Sequence, residues 1–201
     1  MIRLLTKIPE NIYLGLSGGV DSVACHTFFS NSRRTIIPVF FDHGTETSKK
    51  ALGFLRSRYS NLLVGKIQRE KGKKESWEEY WRNERYNYLY NLNGPVVVCH
   101  HLDDVVETWL FSSFHGTPKL IPVQTRNIVR PFLITDKDRL KEICIKWNKE
   151  WIEDESNFDD SYMRNHIRHN ILPEILKVNP GIKKTLKKKY LEKSNQYLNH
   201  F

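Results

Sequence analysis

The chain has 201 residues, enough for one domain with a sizeable core, and its 39% apolar and 12% aromatic content excludes a disordered chain. The 32 lysines and arginines against 23 acidic residues give a net charge of +9, which favours a polyanionic partner such as nucleic acid. Three scattered cysteines without a C-x-x-C pair exclude a disulfide framework and a zinc ribbon, and no apolar run approaches membrane length, so we expect a cytoplasmic protein.

The first predicted strand and helix flank a turn rich in glycine and serine. The strand begins at Ile12 and ends at Leu16, and the helix begins at Val20 because apolar residues recur there at helical spacing. Strand, tight turn and helix in succession place the turn at a helix amino terminus, where unpaired N–H groups attract anions.

The turn itself, S-G-G-V-D-S at residues 17–22, contains the groups that a phosphate needs. Two adjacent glycines let an anion approach the backbone closely, two serines add hydroxyl donors, and the aspartate can hold a metal or orient the loop. An ordinary strand–helix turn of the same composition is the alternative. The predicted phosphate-binding residues are Ser17, Gly18, Gly19, Asp21 and Ser22.

Thr35–Phe41 is predicted as the second strand, and it ends in D-H-G at residues 42–44. Ligands collect at the carboxyl ends of parallel strands, so we expect Asp42 and His43 to lie beside the phosphate loop. A polar turn closed by a glycine is equally compatible with the pattern. A helix over Glu46–Tyr59 and a third strand over Leu62–Ile67 follow.

A helix over Ser76–Leu92 carries an aromatic stripe, which favours packing against a core. The stripe consists of Trp77, Tyr80, Trp81, Tyr88 and Leu89. Arg82 and Arg85 lie three residues apart and therefore on one face. They are compatible both with a phosphate clamp and with a solvated pair of arginines.

Pro95–Cys99 is predicted as the fourth strand, and it runs into H-H-L-D-D-V-V-E-T at residues 100–108. In a helix that begins near Asp103, the side chains of Asp103, Asp104 and Glu107 converge at the first turn. Converging carboxylates need a positive partner, and Mg²⁺ or a substrate ammonium would serve. The alternative is a helix start that is merely rich in acids.

The rest of the chain completes an α/β fold. We predict a loop over Lys119–Arg126 and a last short strand over Ile128–Leu133. A helix follows, and Thr135 and Asp138 form a capping-box pattern at its start. Glu150–Ser161 is predicted to be irregular. The expected architecture is an open, mostly parallel five-stranded sheet with helices on both faces.

Two basic segments close the sequence. Arg164 opens a basic helix that reaches Pro173 and favours either anion contact or a solvated face. From Lys177 onward lysines dominate, and we predict a short basic helix that contacts phosphates non-specifically or is simply solvated. We therefore divide the chain into a catalytic domain at residues 1–176 and a lysine-rich helical tail at residues 177–201.

Taken in order, these segments resemble the catalytic domain of the tRNA(Ile)-lysidine synthetase family, within the PP-loop superfamily of N-type ATP pyrophosphatases with its adenine nucleotide alpha-hydrolase-like fold. The resemblance covers about residues 10–176. The motifs that carry it are S-G-G-V-D-S at 17–22, D-H-G at 42–44, R-N-E-R-Y at 82–86, H-H-L-D-D-V-V-E-T at 100–108, I-V-R-P-F-L at 128–133, and W-I-E-D-E-S-N to R-N-H-I-R-H-N-I-L-P at 151–173. The phosphate loop is specific to the superfamily, and the 100–108 and R-N-x-I-R-x-x-x-L-P blocks are specific to the family.

The resemblance implies a ligase that modifies tRNA with ATP and Mg²⁺. The enzyme would adenylate the wobble cytidine of an isoleucine tRNA with a CAU anticodon, and free lysine would then displace AMP to leave lysidine. A tRNA thiolase, a small-molecule ligase of the same superfamily and an RNA-binding domain that has lost catalysis are the alternatives. Members usually carry further domains after this point, whereas this sequence ends in the lysine-rich tail. No oligomeric state is predicted.

The resemblance also implies roles for individual residues. The catalytic set is Asp21, His100, Asp103, Asp104 and Glu107, in which Asp21 and Asp103 bind Mg²⁺, Asp104 and Glu107 bind lysine, and His100 or Asp104 takes a proton from the amine. ATP would contact the phosphate loop together with Asp42, His43 and Arg82. Phosphates of the tRNA or of ATP would contact Arg130, Arg164 and Arg168.

Overall fold

The computed structural model of the protein describes residues 2–153, 160 and 163–193. Within them, the strands are β1 (Asn11–Gly15), β2 (Thr35–Asp42), β3 (Leu63–Lys66), β4 (Val96–Val97), β5 (Gln124–Thr125) and β6 (Ile128–Val129). The helices are α1 (Val20–Ser30), α2 (Glu46–Arg56), α3 (Trp77–Tyr90), α4 (Leu102–Phe114), α5 (Lys137–Lys146), α6 (Met163–His166), α7 (Leu172–Val178) and α8 (Ile182–Glu192). A π-helical turn, Ile167–Ile171, joins α6 to α7.

The strands form one sheet in the order β3–β2–β1–β4–β6–β5, in which only the edge pair β5–β6 is antiparallel among the described strands. The predicted α/β class with an open, mostly parallel sheet is therefore confirmed, with one strand more than the five expected. The added strand, Gln124–Thr125, lies in the segment predicted as a loop. Two residues are too few for an alternating pattern to show in the sequence.

Neighbouring residues of the central strands point into different apolar cores, so helices cover both faces of the sheet. Phe40 and Val97 pack in a core with α1, α2 and α5. Val39 and Val96, each one residue earlier, pack in a second core with Leu89 of α3. This alternation fixes the strand register, since a slip of one residue would exchange the two faces.

The sheet brings the two predicted motifs to the same edge. β1 lies between β2 and β4 and is parallel to both, so the strand order reverses direction at β1. Ligands bind at such a reversal because the loops after the adjacent strands separate and leave a crevice. The phosphate loop follows β1, and His100 follows β4 after only two residues, so both lie at this crevice.

Several boundaries differ from the sequence prediction. The α2 helix ends at Arg56, and the predicted last strand keeps only its first two residues. The predicted capping box at Thr135 was wrong, since Asp136 is the residue that caps α5. The carbonyl of Thr135 instead accepts the N–H of Leu102, at 2.9 Å, and so links the segment before α5 to the start of α4.

The lysine-rich segment after residue 177 folds into α8 and packs on α4. Ile182, Leu186 and Tyr190 recur every four residues and are buried in a core shared with α4. The Tyr190 hydroxyl donates to the carbonyl of Ile121 at 2.7 Å. The division of the chain at residue 176 stays a prediction, and residues 194–201 of the tail lie outside the described residues.

Among the described residues, no helix combines the length and the apolar character that a bilayer span requires.

Candidate functional site

The phosphate loop is shaped by hydrogen bonds among its own residues. Ser22 Oγ accepts the N–H of Ser17 at 3.1 Å and donates to the carbonyl of Gly19 at 2.9 Å. Ser17 Oγ accepts the N–H of Gly19 at 3.3 Å. Gly18 has a φ of +89°, which a glycine adopts without strain, and Gly19 caps α1. The loop therefore turns sharply and presents the amino terminus of α1, the arrangement that binds phosphate.

A later segment crosses this loop at Gly18. The N–H of Ile152 donates to the Gly18 carbonyl at 3.0 Å, and a Cβ built on Gly18 would lie 3.0 Å from Cδ1 of Ile152. Glycine is thus required both for the positive φ and for the close approach. Ile152 belongs to the W-I-E-D-E-S-N motif, of which residues 154–157 lie outside the described part of the chain.

One histidine lies among the carboxylates of the site, and it is His101 rather than the predicted His100. Nε2 of His101 is 3.4 Å from Asp21 Oδ2, while Nδ1 is 3.6 Å from Asp104 Oδ2 and 3.8 Å from Asp103 Oδ2. Burial favours the neutral imidazole, but the three carboxylates outweigh it and raise the pKa of His101 above its ordinary value. This buried side chain joins the phosphate loop to the first turn of α4, so the two motifs form one site.

His100 occupies a different environment beside this cluster. Burial lowers the pKa of His100 to about 3, so its imidazole is neutral at physiological pH. Its Nδ1 atom is buried and has no hydrogen-bond partner among the described residues. A group with so low a pKa removes a proton from an ammonium poorly, which weakens the case for His100 as the general base.

Glu107 is buried, and both of its carboxylate oxygens contact Arg168. Nε of Arg168 donates to Oε1 at 2.6 Å, and a terminal nitrogen donates to Oε2 at 3.0 Å. The same guanidinium lies 3.9 Å from Asp104 Oδ1. Burial disfavours the charged guanidinium, but pairing with Glu107 outweighs it and raises the pKa of Arg168. Arg168, which the sequence assigned to a phosphate, thus supplies a positive charge that the carboxylates require.

Asp103 also has protein partners at both oxygens. Lys183 of α8 forms a salt bridge with Oδ1, and the N–H of Lys137 at the start of α5 donates to Oδ2 at 3.0 Å. Burial raises the pKa of Asp103, but these two contacts outweigh it and the net pKa is lowered. Asp103 therefore links the amino termini of α4 and α5 to the tail helix.

Asp21 and Asp103 differ in whether a carboxylate oxygen is available to bind Mg²⁺. Oδ1 of Asp21 is buried, has no hydrogen-bond partner among the described residues, and belongs to the phosphate loop. Mg²⁺ commonly takes one or two carboxylates together with substrate phosphates, so Asp21 fits such an ion. Asp103 fits it less well, because Lys183 and Lys137 already contact its oxygens. In the described residues, no group of three or more His, Cys, Asp or Glu is arranged to hold a metal alone.

The D-H-G turn lies at the carboxyl end of β2, as predicted. Asp42 Oδ1 accepts the N–H of Gly44 at 2.8 Å. The His43 ring lies 5.0 Å from Phe41 and 5.9 Å from Trp81 of α3, and burial lowers the pKa of His43 to about 4. The turn thus presents a neutral ring beside an aromatic helix face.

The remaining predicted arginines occupy three different settings. Arg82 is exposed, with its guanidinium 5.6 Å from the Tyr86 ring. Arg164 pairs with Glu78 of α3 at 3.2 Å. Arg130 is buried and donates to the carbonyl of Pro122, to a threonine hydroxyl and to the Tyr86 hydroxyl. Arg82 and Arg164 can reach a ligand from the surface, whereas Arg130 already holds the β5–β6 hairpin against α3.

Sequence reasoning missed two residues of the site. His101 was quoted only as part of its motif, although the strand that precedes it gives a usable signal, since adjacent residues point in opposite directions. Lys183 stands in a run of lysines that resembles any solvated basic helix. Only the packing of α8 shows that this lysine points toward Asp103.

Comparisons with known proteins agree with this geometry. A family model described as a PP-loop domain matches residues 3–175. The chain is similar to proteins named tRNA(Ile)-lysidine synthase: it is 29% identical to that of Nitrosomonas europaea over 92% of this chain and 45% of that protein. It is 32% identical to that of Legionella pneumophila strain Paris over 86% of this chain and 44% of that protein. It is 31% identical to that of Bacteroides thetaiotaomicron over 92% of this chain and 49% of that protein. The chain spans about half the length of the curated relatives it matches.

Proposed function

The chain belongs to the PP-loop domain family, whose members use ATP, and we propose that it forms lysidine in a tRNA. In the first step the 2-carbonyl oxygen of the wobble cytidine attacks the α-phosphate of ATP, and pyrophosphate leaves. In the second step the ε-amine of lysine attacks the activated carbon, the amine loses a proton, and AMP leaves. The proposed tRNA is an isoleucine tRNA with a CAU anticodon, and the expected location is the cytoplasm.

One observation carries this proposal: His101 bridges the phosphate loop and the acidic turn of α4 within a single crevice. Both steps occur at one cytidine ring, so the group that binds ATP and the group that binds lysine must lie close together. The similarity to proteins named tRNA(Ile)-lysidine synthase supports the choice of substrates.

We assign roles according to the contacts of each residue. The backbone N–H groups of the phosphate loop and the Ser22 hydroxyl would bind the phosphates and stabilise charge as pyrophosphate departs. Asp104 and Glu107 would bind the lysine cation, with Arg168 moving toward a phosphate as the ammonium enters. His100 and Asp104 stay the candidate general bases, and Asp104 is the one that lies within the acidic cluster, 3.6 Å from Nδ1 of His101.

A bound Mg²⁺ would neutralise charge on the triphosphate, with Asp21 as the ligand that this chain supplies most readily. Asp103 stays a predicted ligand, although its contacts suit a positioning role better. Lys183 and Lys137 hold Asp103 where it faces Nδ1 of His101. The ammonium of Lys183 and the backbone N–H of Lys137 thus orient the carboxylate that lies nearest to the start of α4.

The test is transfer of labelled lysine to an isoleucine tRNA transcript with a CAU anticodon in the presence of ATP. We expect label in the tRNA with the native chain, and a loss of at least about 100-fold with Asp21→Asn, because that carboxylate serves the phosphate loop. Asp138→Asn, an exposed carboxylate in the first turn of α5, is the matched control and should retain transfer.

Turnover of ATP to AMP and pyrophosphate without label in the tRNA would reject lysine as the substrate. Dependence of that turnover on a small acid, with no effect of tRNA, would instead indicate a small-molecule ligase.

A further inference from the structure

Two tryptophans form an aromatic surface at the start of α3, outside the contacts described above. Trp77 is 57% exposed, and its ring lies 5.5 Å from that of Trp81, with the ring planes inclined by 36°. The Trp81 ring in turn lies 5.9 Å from His43. The three rings therefore form a row that starts at the carboxyl end of β2 and ends in solvent.

The sequence favoured core packing for this aromatic stripe, and that prediction holds for only part of it. Tyr80 and Leu89 are buried. Trp77 and Trp81 belong to none of the three apolar cores of the described chain. Trp77 therefore keeps more than half of its surface in solvent, although its side chain is large and mostly apolar. An exposed ring of this size beside a crevice favours a ligand over a structural role.

The loop before the two tryptophans carries three lysines, together with Glu70 and with Glu75, which pairs with Arg69 at 2.7 Å. Lys71 Nζ lies 5.4 Å from the Trp77 ring, and Lys73 and Lys74 are exposed in the same loop. Glu78 in the first turn of α3 is paired with Arg164 at 3.2 Å. Exposed Glu79 is the other acidic residue of that turn. Aromatic rings flanked by lysines suit a ligand that combines a flat apolar ring with a negative backbone.

We propose that Trp77 and Trp81 are a stacking platform for an unpaired base of the RNA substrate. The inference rests on the proposed function and adds to it a binding surface for a nucleotide that flanks the modified one. Proteins recognise RNA loops by stacking splayed bases on aromatic side chains, and each stacked base contributes about 1–3 kcal/mol. The row begins at His43, at the carboxyl end of β2, and β2 is adjacent to β1, the strand that the phosphate loop follows.

The platform serves RNA rather than the adenine of ATP because Trp77 is the outermost ring. Trp81 stands between Trp77 and His43, and His43 is the ring that lies at the carboxyl end of β2. Arg164 reaches the same turn of α3 from the basic segment that carries Arg168. An RNA strand that places one base in the crevice would therefore extend over Trp77 between two basic segments.

The test measures binding of a fluorescent anticodon stem–loop of a CAU isoleucine tRNA by anisotropy. We expect Trp77→Ala to weaken binding at least about fivefold, the lower bound for loss of one stacked base. Trp77→Phe should restore most of the affinity because it keeps an aromatic ring. Trp147→Ala is the matched control, since Trp147 is 48% exposed and also lies near a lysine, Lys146, but at the far end of α5.

ATP affinity, measured in parallel, should be the same in all four proteins. Equal RNA affinity in Trp77→Ala and the native chain would overturn the platform and leave the proposed function intact. A weakened affinity for ATP in Trp77→Ala, with RNA binding unchanged, would also overturn the platform, because it would show that the rings bind ATP rather than RNA. If the native chain binds no stem–loop, the proposed function fails and the platform fails with it.

Discussion

The phosphate loop and the first turn of α4 follow adjacent strands, yet they are stabilised in opposite ways. Residues 17–22 shape the loop through hydrogen bonds to one another. The carboxylates of α4 depend on distant cations, because Glu107 pairs with a residue 61 positions later and Asp103 with one 80 positions later. The phosphate loop thus offers neutral hydrogen-bond donors for an anion and is shaped by neighbouring residues. The acidic turn of α4 is instead held together by cations from distant parts of the chain.

This difference explains how the acids can converge in the crevice. Like charges in a half-buried site repel strongly, and a nearby opposite charge removes most of that cost. Arg168 and Lys183 provide it from the π-helical turn and from α8. The lysine-rich tail is therefore part of the acidic cluster as well as a basic surface.

The largest expected effect comes from a change in the phosphate loop, the part of the site that its own residues shape. Gly18→Ala would place a Cβ 3.0 Å from Cδ1 of Ile152 on a backbone with φ of +89°. Either Ile152 or the loop must give way to the added Cβ, and alanine at this φ is strained in any case, so we expect the loop to be displaced. A displacement near 1 Å costs about 100-fold in rate at a positioned site. We expect ATP–pyrophosphate exchange in the presence of tRNA to fall by about that factor.

Gly116→Ala is the control for the backbone effect alone. Gly116 also has a positive φ, +84°, but no atom lies within 4 Å of the added Cβ, and the residue follows α4 at its far end. Its exchange rate should stay within about twofold of native. Full activity in Gly18→Ala would contradict the assigned role of the loop.

Removing one member of the buried Glu107–Arg168 ion pair tests the acidic cluster, which residues far apart in the chain hold together. Glu107→Gln removes the carboxylate that contacts Arg168 at both oxygens and leaves Asp104, 3.9 Å away, as its remaining acidic neighbour among the described contacts. Breaking buried pairs typically costs about 3–5 kcal/mol, and because Arg168 is 29% exposed we expect about 1–3 kcal/mol here. Urea denaturation measures the free energy of unfolding.

Two further variants complete this test. Glu174→Gln breaks an exposed pair with Lys177 and should leave the free energy of unfolding unchanged within error. The double variant Glu107→Gln with Arg168→Met should recover part of the loss, because it removes the unpaired charge. A strictly additive double variant would show that the two side chains are not coupled.

The smallest effect concerns the tail and depends on pH. The folded state lowers the pKa of Asp103, so this carboxylate stabilises the fold above its unfolded pKa, about 3.9, and the stabilisation is lost as pH falls through the folded pKa. We expect Lys183→Met to cost about 1 kcal/mol near pH 7, since both side chains are partly exposed. The difference from native should shrink as the pH falls toward 3.

Thermal unfolding across that pH range measures the effect, with Lys184→Met as the control because Lys184 is exposed on the same helix. A loss from Lys183→Met that is independent of pH would show that the lysine contributes packing rather than charge.

The phosphate loop and the strands on either side of it could be predicted because their causes are local. Gly18 and Gly19 between an apolar strand and a helix leave few other structures, and β4 is a continuous β-branched run. β5 could not be predicted, since Gln124 and Thr125 become a strand only by pairing with β6. The partner of Arg168 illustrates the same limit, because its pairing with Glu107 is a contact between distant segments.

The sequence by itself determined that a glycine-rich turn at a helix amino terminus and a cluster of acids follow two strands of one parallel sheet. Short-range periodicity and the conformational freedom of glycine are sufficient for that inference. Only the tertiary structure decided which charges neutralise the acids and that His101, rather than His100, stands among them. Those contacts join side chains far apart in the chain, and their partners are selected by the packing of α8 and the π-helical turn against α4.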